Sequence, residues 1–315
     1  MQLPPALRQA LDLELQGTPL NELAKASASI TEQYRSGKPS KLTTSIERLA
    51  YVAARMPATY AAVHAALSQA DIEPRTLLDL GAGPGTVSWA AHAVFDSLES
   101  AQLIERNGAL AQLGQRLGAP IPTRWTVADV SAPHDPADLV VLSYALGETS
   151  WQATLEKAWA ATGMMLALVE PGTPKGFNLI REARQWLIGR GAAIAAPCPH
   201  DRACPMTKDD PMTKDDWCHF AARVERTSLH RRMKGAELGY EDEKFSYVLA
   251  TRAAVAAPEG RIIRHPRQKA GYVQLELCTT TGLTTKNVPK SAGLLHREAR
   301  KARWGDEWPP ASAET

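Results

Sequence analysis

Leucine and alanine return every three or four residues through LPPALRQALDLEL, NELAKASASITEQYR, SIERLAYVAARM and ATYAAVHAALSQA, the period of an amphipathic helix. Ser36-Gly37-Lys38-Pro39 breaks the second stretch from the third, and Pro57 is read as the start of a fourth helix. Residues 1–73 are thus expected to form an N-terminal helical subdomain. From Pro74 the pattern changes to short apolar runs. TLLDL at 76–80, AQLIE at 101–105, TRWTVAD at 123–129, ADLVVLSY at 137–144 and MMLALVE at 164–170 read as strands. Helices are predicted from Thr86 to about Phe95, over Trp151–Ala161 and over Asn178–Gly189. Such alternation implies a parallel sheet covered on both faces. KFSYVLATR at 244–252 and YVQLELC at 272–278 are expected to pair antiparallel at the end of that sheet. The topology is that of an α/β, class I (Rossmann-like) S-adenosylmethionine-dependent methyltransferase fold over residues 74–285, with an insertion at 195–220. Residues 286–315 read as a basic C-terminal tail, only partly regular.

The first strand runs into Asp79-Leu80-Gly81-Ala82-Gly83-Pro84-Gly85 and then a helix. Glycines there permit a tight turn and close approach of a ligand to the backbone. Glu105 ends the next strand, where a carboxylate takes ribose hydroxyls, and Asp129 ends the third, within reach of an adenine amino group. A nicotinamide dinucleotide is the rival ligand. Its fingerprint spaces glycines as G-x-G-x-x-G, whereas Gly81, Gly83 and Gly85 are evenly spaced and Thr86 stands at the third glycine's place. Asp79 suits the amino group of a methionine moiety. S-adenosylmethionine is therefore preferred. After the fourth strand, Tyr144 is a candidate to stack a base and Glu148 a candidate to take a proton, although a plain turn reads equally well there.

Charge changes the picture of the second half. Residues 1–180 carry 13 Lys and Arg against 17 Asp and Glu, and residues 181–315 carry 23 against 17. Within 261–303 there are ten basic residues and two acidic, a distribution expected of a phosphate-facing surface. No secretory signal or membrane-length apolar run is seen, so a cytoplasmic location with no membrane association is expected. In such a compartment clustered cysteines hold metal more often than they form disulfides. All four fall in the second half, as Cys198-x5-Cys204-x13-Cys218-x59-Cys278. Four thiolates suit zinc or an iron–sulfur cluster, and the lack of C-x2-C knuckles makes zinc the lesser choice. His200 and His219 are substitute ligands or, more simply, neighbours of the ligands. PMTKDD occurs twice in tandem between Cys204 and Cys218.

Several strings carry a resemblance: RMPATYAA at 55–62, LLDLGAGPGTVSWAA at 77–91, VEPGTPKGF at 169–177, APCPHDRACPM at 196–206, DWCHFAARVER at 216–226, EKFSYV at 243–248 and ARKARWGDEW at 299–308. Together they resemble the methyltransferase-like family associated with the mitochondrial small ribosomal subunit, in a bacterial-type member, over about Leu42 to Trp308. The resemblance implies a methyltransferase fold, S-adenosylmethionine binding and a [4Fe–4S] cluster on Cys198, Cys204, Cys218 and Cys278. It also implies work on small-subunit rRNA during ribosome assembly. The family has a shorter gap between its second and third cysteines, and removing one PMTKDD copy restores it. Arg223, Arg226, Arg231, Arg232 and Lys234 follow Cys218, so the cluster is expected to shape a basic RNA-facing surface.

Two functions remain. One is an rRNA methyltransferase. The other is a non-catalytic assembly factor that binds rRNA and keeps the fold, a reading favoured by the missing N/D-P-P-Y motif. A radical S-adenosylmethionine enzyme lacks support, because no C-x3-C-x2-C triplet occurs. A monomer is expected, with the small ribosomal subunit as partner.

Overall fold

A computed structural model describes residues 1–35, 42–206, 213 and 216–310. The Ser36–Pro39 break and most of the PMTKDD repeat lie outside the described residues. The chain divides into two compact units, Met1–Val169 with Ala222–Glu243, and Glu170–Ala221 with Lys244–Thr315.

The first unit opens with α1 (Pro5–Leu15), α2 (Leu20–Arg35) and α3 (Ser45–Leu67). Thr44 and Glu47 start α3 with a reciprocal capping box: the Thr44 hydroxyl accepts the Glu47 N–H at 3.2 Å, and the Glu47 carboxylate accepts the Thr44 N–H at 2.8 Å. The helix passes through Pro57 without stopping, which corrects the predicted break. A mid-helix proline forfeits a hydrogen bond and costs about 3 kcal/mol. Here Met56, Val63 and Leu67 are buried along the same helix, each stabilising it by roughly 1.5–3 kcal/mol, so packing outweighs the lost bond.

Beyond these helices come β1 (Thr76–Leu80), α4 (Thr86–His92), β2 (Ser100–Ile104), α5 (Gly108–Leu117), β3 (Thr123–Thr126), β4 (Ala137–Ser143), α6 (Trp151–Ala160) and β5 (Thr162–Pro171). The strands lie parallel in the order β3-β2-β1-β4-β5, with Leu78 opposite Gln102 on one side and Val140 on the other. The order reverses at β1, so a crevice opens at the carboxyl ends of β1 and β4. α5 adds a helix that the apolar pattern did not single out. Asn107 caps it by accepting the Leu110 N–H at 3.1 Å.

The second unit begins with α7 (Pro174–Ile188) and β6 (Ala193–Ala196). The chain then forms β7 (Phe220–Glu225) and α8 (Ser228–Lys234), largely in the first unit, before β8 (Tyr240–Thr251). β8 takes β6 as an antiparallel partner, and the expected pairing with 272–278 does not occur. Those residues belong to a separate antiparallel sheet of β9 (Gly260–Ile262), β10 (Arg267–Lys269), β11 (Tyr272–Thr279), β12 (Gly282–Pro289) and β13 (Glu307–Trp308), with α9 (Leu294–Lys301) against it. Burial explains the difference. Phe245 to Thr251 are buried without a break, as in a strand covered on both faces, whereas β11 alternates and so has only one face covered. Ile262, Val273, Leu275, Leu277, Val288, Ala299 and Trp308 make the core of this sheet. The C-terminal segment is thus regular through β12, α9 and β13, more so than expected.

Candidate functional site

Asp79, next to last in β1, is 1% exposed, and neither carboxylate oxygen meets a protein donor. Burial first, and the nearby Glu105 charge second, push its pKa well above the usual carboxylate range. The following loop uses its backbone donors internally. The N–H groups of Gly81 and Ala82 both donate to the Ile104 carbonyl at 2.9 Å, and that of Gly85 donates to Ala82 O at 2.8 Å. Gly83 N–H donates to Glu105 Oε2 at 2.8 Å, and Pro84 has no N–H. A pyrophosphate would therefore find no free donor between Gly81 and Gly85. Gly81 sits at φ +79°, and a Cβ there would lie 2.6 Å from that of Ala145, so the turn after β4 presses on the loop.

Glu105 stands one residue past β2 and braces the loop, its Oε1 accepting the Asn107 N–H at 2.7 Å. Each oxygen keeps a further lone pair for a ligand hydroxyl. Asp129 lies three residues past β3, exposed on a turn. Its Oδ1 accepts from the Ser131 hydroxyl at 2.6 Å and the Ser131 N–H at 2.9 Å, bonds that hold its pKa below the ordinary value.

Tyr144 follows β4 with φ 56°, the one non-glycine residue with positive φ among the described residues. A bulky side chain adopts this conformation only where its surroundings impose it. Its phenol donates to Glu243 Oε1 at 2.9 Å, and the same oxygen accepts from Arg55 Nη2 at 3.0 Å. The Arg55 guanidinium lies 5.9 Å from the Tyr144 ring centroid. Burial opposes the Arg55 charge, but Glu243, Tyr144 and Tyr51 more than restore it. Glu148 pairs with Arg106 at 3.0 Å, and burial raises its pKa against the pull of that arginine. Both candidate acceptor-side residues are therefore already partnered. Arg55 and Glu243 escaped the sequence reading of roles. The available signal was a charged residue between buried Ala54 and Met56 of α3, and an acid at the head of an apolar strand.

In the second unit all four cysteines are free thiols and line one cavity of about 40 Å³, walled by Phe177, Met206, Tyr247 and Ile263. Cys218 is central: after burial itself, Cys198, Cys204 and Cys278 each push its thiol pKa further up. Burial, with Cys198 and Cys204 nearby, takes Cys278 up to about 12. Among the described residues no three His, Cys, Asp or Glu side chains are grouped to hold a single metal ion. Two buried arginines fix the cysteine loop. Arg184 of α7 donates to the carbonyls of His200 and Arg202, and Arg261 of β9 donates to Pro197 O and Gly305 O at 3.0 Å each. Arg184 was foreshadowed by its place on the face of α7 that buries Phe177, Ile180 and Leu187. His200 Nε2 stands 3.9 Å from Cys278 Sγ. His219 stacks on Trp217 and meets Trp304 edge-on, an aromatic wall beside Cys218.

The expected basic surface after Cys218 does not form as such. Arg223 pairs with Asp242 at 2.8 Å, and Glu241 takes both Arg226 at 2.8 Å and Lys234 at 3.0 Å. Acidic residues of β8 neutralise three of the five cations, and 222–243 belong to the first unit, not to the unit of the cysteines.

Residues 45–309 match the model of a family described as mitochondrial small ribosomal subunit Rsm22. The chain belongs to this family. Human "Ribosome assembly protein METTL17, mitochondrial" is 28% identical over 310 residues, covering 84% of this chain and 65% of that protein. "Rsm22-cox11 tandem protein 2, mitochondrial" of Schizosaccharomyces pombe is 26% identical over 334 residues, covering 86% of this chain and 44% of that protein. The chain thus spans less than two thirds of either relative's length. Among solved structures, the magnesium protoporphyrin IX methyltransferase of Synechocystis with bound SAH overlays 72% of this chain and 95% of its own, at 11% identity and a TM-score of 0.40. The Rsm22 match takes in α3, the glycine loop, all four cysteines and the C-terminal sheet, and leaves α1 and α2 outside.

Proposed function

We propose that this Rsm22-family protein binds S-adenosylmethionine in its first unit, holds a [4Fe–4S] cluster in its second, and methylates small-subunit rRNA during ribosome assembly. The observation that carries the donor half is Asp79. A buried carboxyl group with no donor is stable as the neutral acid or beside a cation, and the ammonium of a methionine moiety supplies the cation beside a loop that offers a pyrophosphate nothing. Glu105 then takes the ribose hydroxyls and Asp129 the adenine edge. When bound, S-adenosylmethionine would supply its sulfonium methyl group to a base nucleophile, with S-adenosylhomocysteine as the leaving group and a proton to be taken up. Tyr144 flanks the acceptor, and Glu148 receives that proton once Arg106 moves away.

Four free thiols around one cavity, with Arg184 and Arg261 beside them to offset thiolate charge, fit a cluster held by Cys198, Cys204, Cys218 and Cys278. A cubane spreads its thiolates more widely than one ion does. When bound, it would supply cross-links between the 198–204 loop, Cys218 and β11, a structural contribution. The family description supports the small ribosomal subunit as the setting, and the human relative's name supports ribosome assembly.

A second reading, a non-catalytic assembly factor, is favoured by the pairing of Tyr144 with Glu243 and of Glu148 with Arg106. The test is transfer of labelled methyl from S-adenosylmethionine to small subunits lacking this protein's action, using anaerobically prepared protein and Asp79→Asn as control. Label in rRNA that disappears with the control establishes catalysis. Tight donor binding without label establishes the second reading.

A further inference from the structure

The ten cations between 261 and 303 are not equivalent once folded. Arg261 and Arg264 are spent on backbone carbonyls, Arg267 pairs with Glu276 at 2.8 Å, and Lys301 pairs with Glu298 at 3.0 Å. The other six are exposed with no ion pair among the described residues: Lys269 on β10, Arg303 after α9, and Lys286, Lys290, Arg297 and Arg300 on or beside β12 and α9.

The last four lie on β12, directly after it, and on α9, the helix that packs against the same sheet. Among the described residues β12 pairs only with β11, so it is an edge strand whose outer N–H and C=O groups face away from the ladder. Lys286 lies opposite Leu275, and Val288 opposite Val273, which puts Lys286 on the face that α9 covers. α9 packs Leu295, Ala299 and Ala302 onto that core. His296 Nδ1 meets Val288 O at 3.0 Å, which turns the His296 flank of α9 toward β12. Arg300 is one helical turn further along that flank, Arg297 is adjacent, and Lys290 follows β12 directly. Basic residues in the last turn of a helix also complement its dipole, which accounts for Arg300 alone. It does not account for Lys286 and Lys290, which lie off the helix.

We infer that the β12 edge with α9 is the surface that grips the sugar–phosphate backbone of RNA, with Lys286, Lys290, Arg297 and Arg300 on phosphates. The inference rests on the rRNA reading above and locates its contact. Unpaired cations beside the exposed hydroxyl of Thr284, two residues from Lys286 on the same face of β12, match the phosphates and ribose hydroxyls of RNA. Two of the four are arginines, suited to bidentate phosphate contact.

The test is binding of transcribed small-subunit rRNA by the full chain across a potassium chloride series. Each phosphate contact contributes about 0.7–0.9 to the salt slope, so K286Q/K290Q/R297Q/R300Q should flatten it by roughly 3. K25Q/K157Q, which changes exposed cations of α2 and α6, should leave the slope unchanged. Retained donor binding and an unchanged circular dichroism melt show that the fourfold variant folds. An unaltered slope in that variant overturns the inference while rRNA binding stands. No binding by the wild-type chain overturns the rRNA reading itself. Loss of association with intact subunits at an unchanged rRNA slope assigns the edge to a protein partner and overturns the inference too.

Discussion

A carboxylate that meets no donor is stable only as the neutral acid or beside a cation, and Asp79 is in that position. Its folded pKa lies above its unfolded value, so without ligand the folded state holds the proton more tightly. The resulting stability is present at low pH and is lost as pH rises through the folded pKa. Asp79→Asn should therefore flatten this decline and stabilise the ligand-free protein at pH 7 by roughly 1–3 kcal/mol, the cost of an unsatisfied buried group. The same change should abolish the thermal shift that S-adenosylmethionine gives the wild type. Parallel melts at pH 5 and pH 7.5, with and without the donor, read both effects. A less stable, still donor-responsive variant would show that Asp79 has another partner. Glu243 argues in the opposite direction. Its removal takes a shared acceptor from Arg55 and from the Tyr144 phenol, so Glu243→Ala should cost roughly 1.5–3 kcal/mol in urea unfolding. A loss below half of that range would mean that the left-handed Tyr144 is held by packing alone.

Among the elements, α3 offers the cleanest test of packing against backbone chemistry. Pro57 supplies no N–H to the carbonyl of Ala53, yet the helix continues. Pro57→Ala restores a donor, and the helix should gain roughly 1–3 kcal/mol in chemical denaturation, part of the interior proline penalty. A destabilised variant would show that the ring's own contacts matter more. The same helix shows why sequence reading misplaces a boundary: proline is a local signal, and the burial that overrides it comes from residues distant in the chain. β1, β4 and β5 were legible because each is an apolar run followed by a helical period, and β2 as an apolar run alone. Of the C-terminal sheet only β11 was, as the alternating run at 272–278. β9 and β10 are three residues each, too short for a period, and β12 reads GLTTKNVP, polar because it is an edge. The site divides the same way. The glycine loop and the four cysteines were visible as residue types at spacings. The partners of Arg55, Glu243, Arg184 and Arg261 were not: a charge on an apolar face or at a strand head marks a position, but an ion pair over 188 residues or an arginine under a distant loop leaves no local sign of what it meets.

At the scale of the whole molecule, each unit has its own core and its own candidate ligand site, and the ligand of each should stabilise the unit that holds it. In the second unit the 198–204 loop, Cys218 and Cys278 come from three separate stretches of chain, joined by apolar contacts and by Arg184 and Arg261. A group bound to all four thiols would add cross-links, and its binding free energy would appear as folding free energy of that region. Cys218→Ser removes the most central thiol while keeping its size. Anaerobically prepared wild-type protein should carry iron and inorganic sulfide, and the variant should carry little of either. Hydrogen exchange should then quicken by about tenfold or more in the variant over 197–206, 216–220 and 260–279, the segments that border the cavity. Exchange over 77–85 and 101–105 should change little, and the donor should still slow it, which separates loss of the cluster from general misfolding. Wild-type protein without iron, or a variant that retains it, would turn the four thiols into plain core residues and remove the cluster from the proposed function, leaving the Asp79 site untouched.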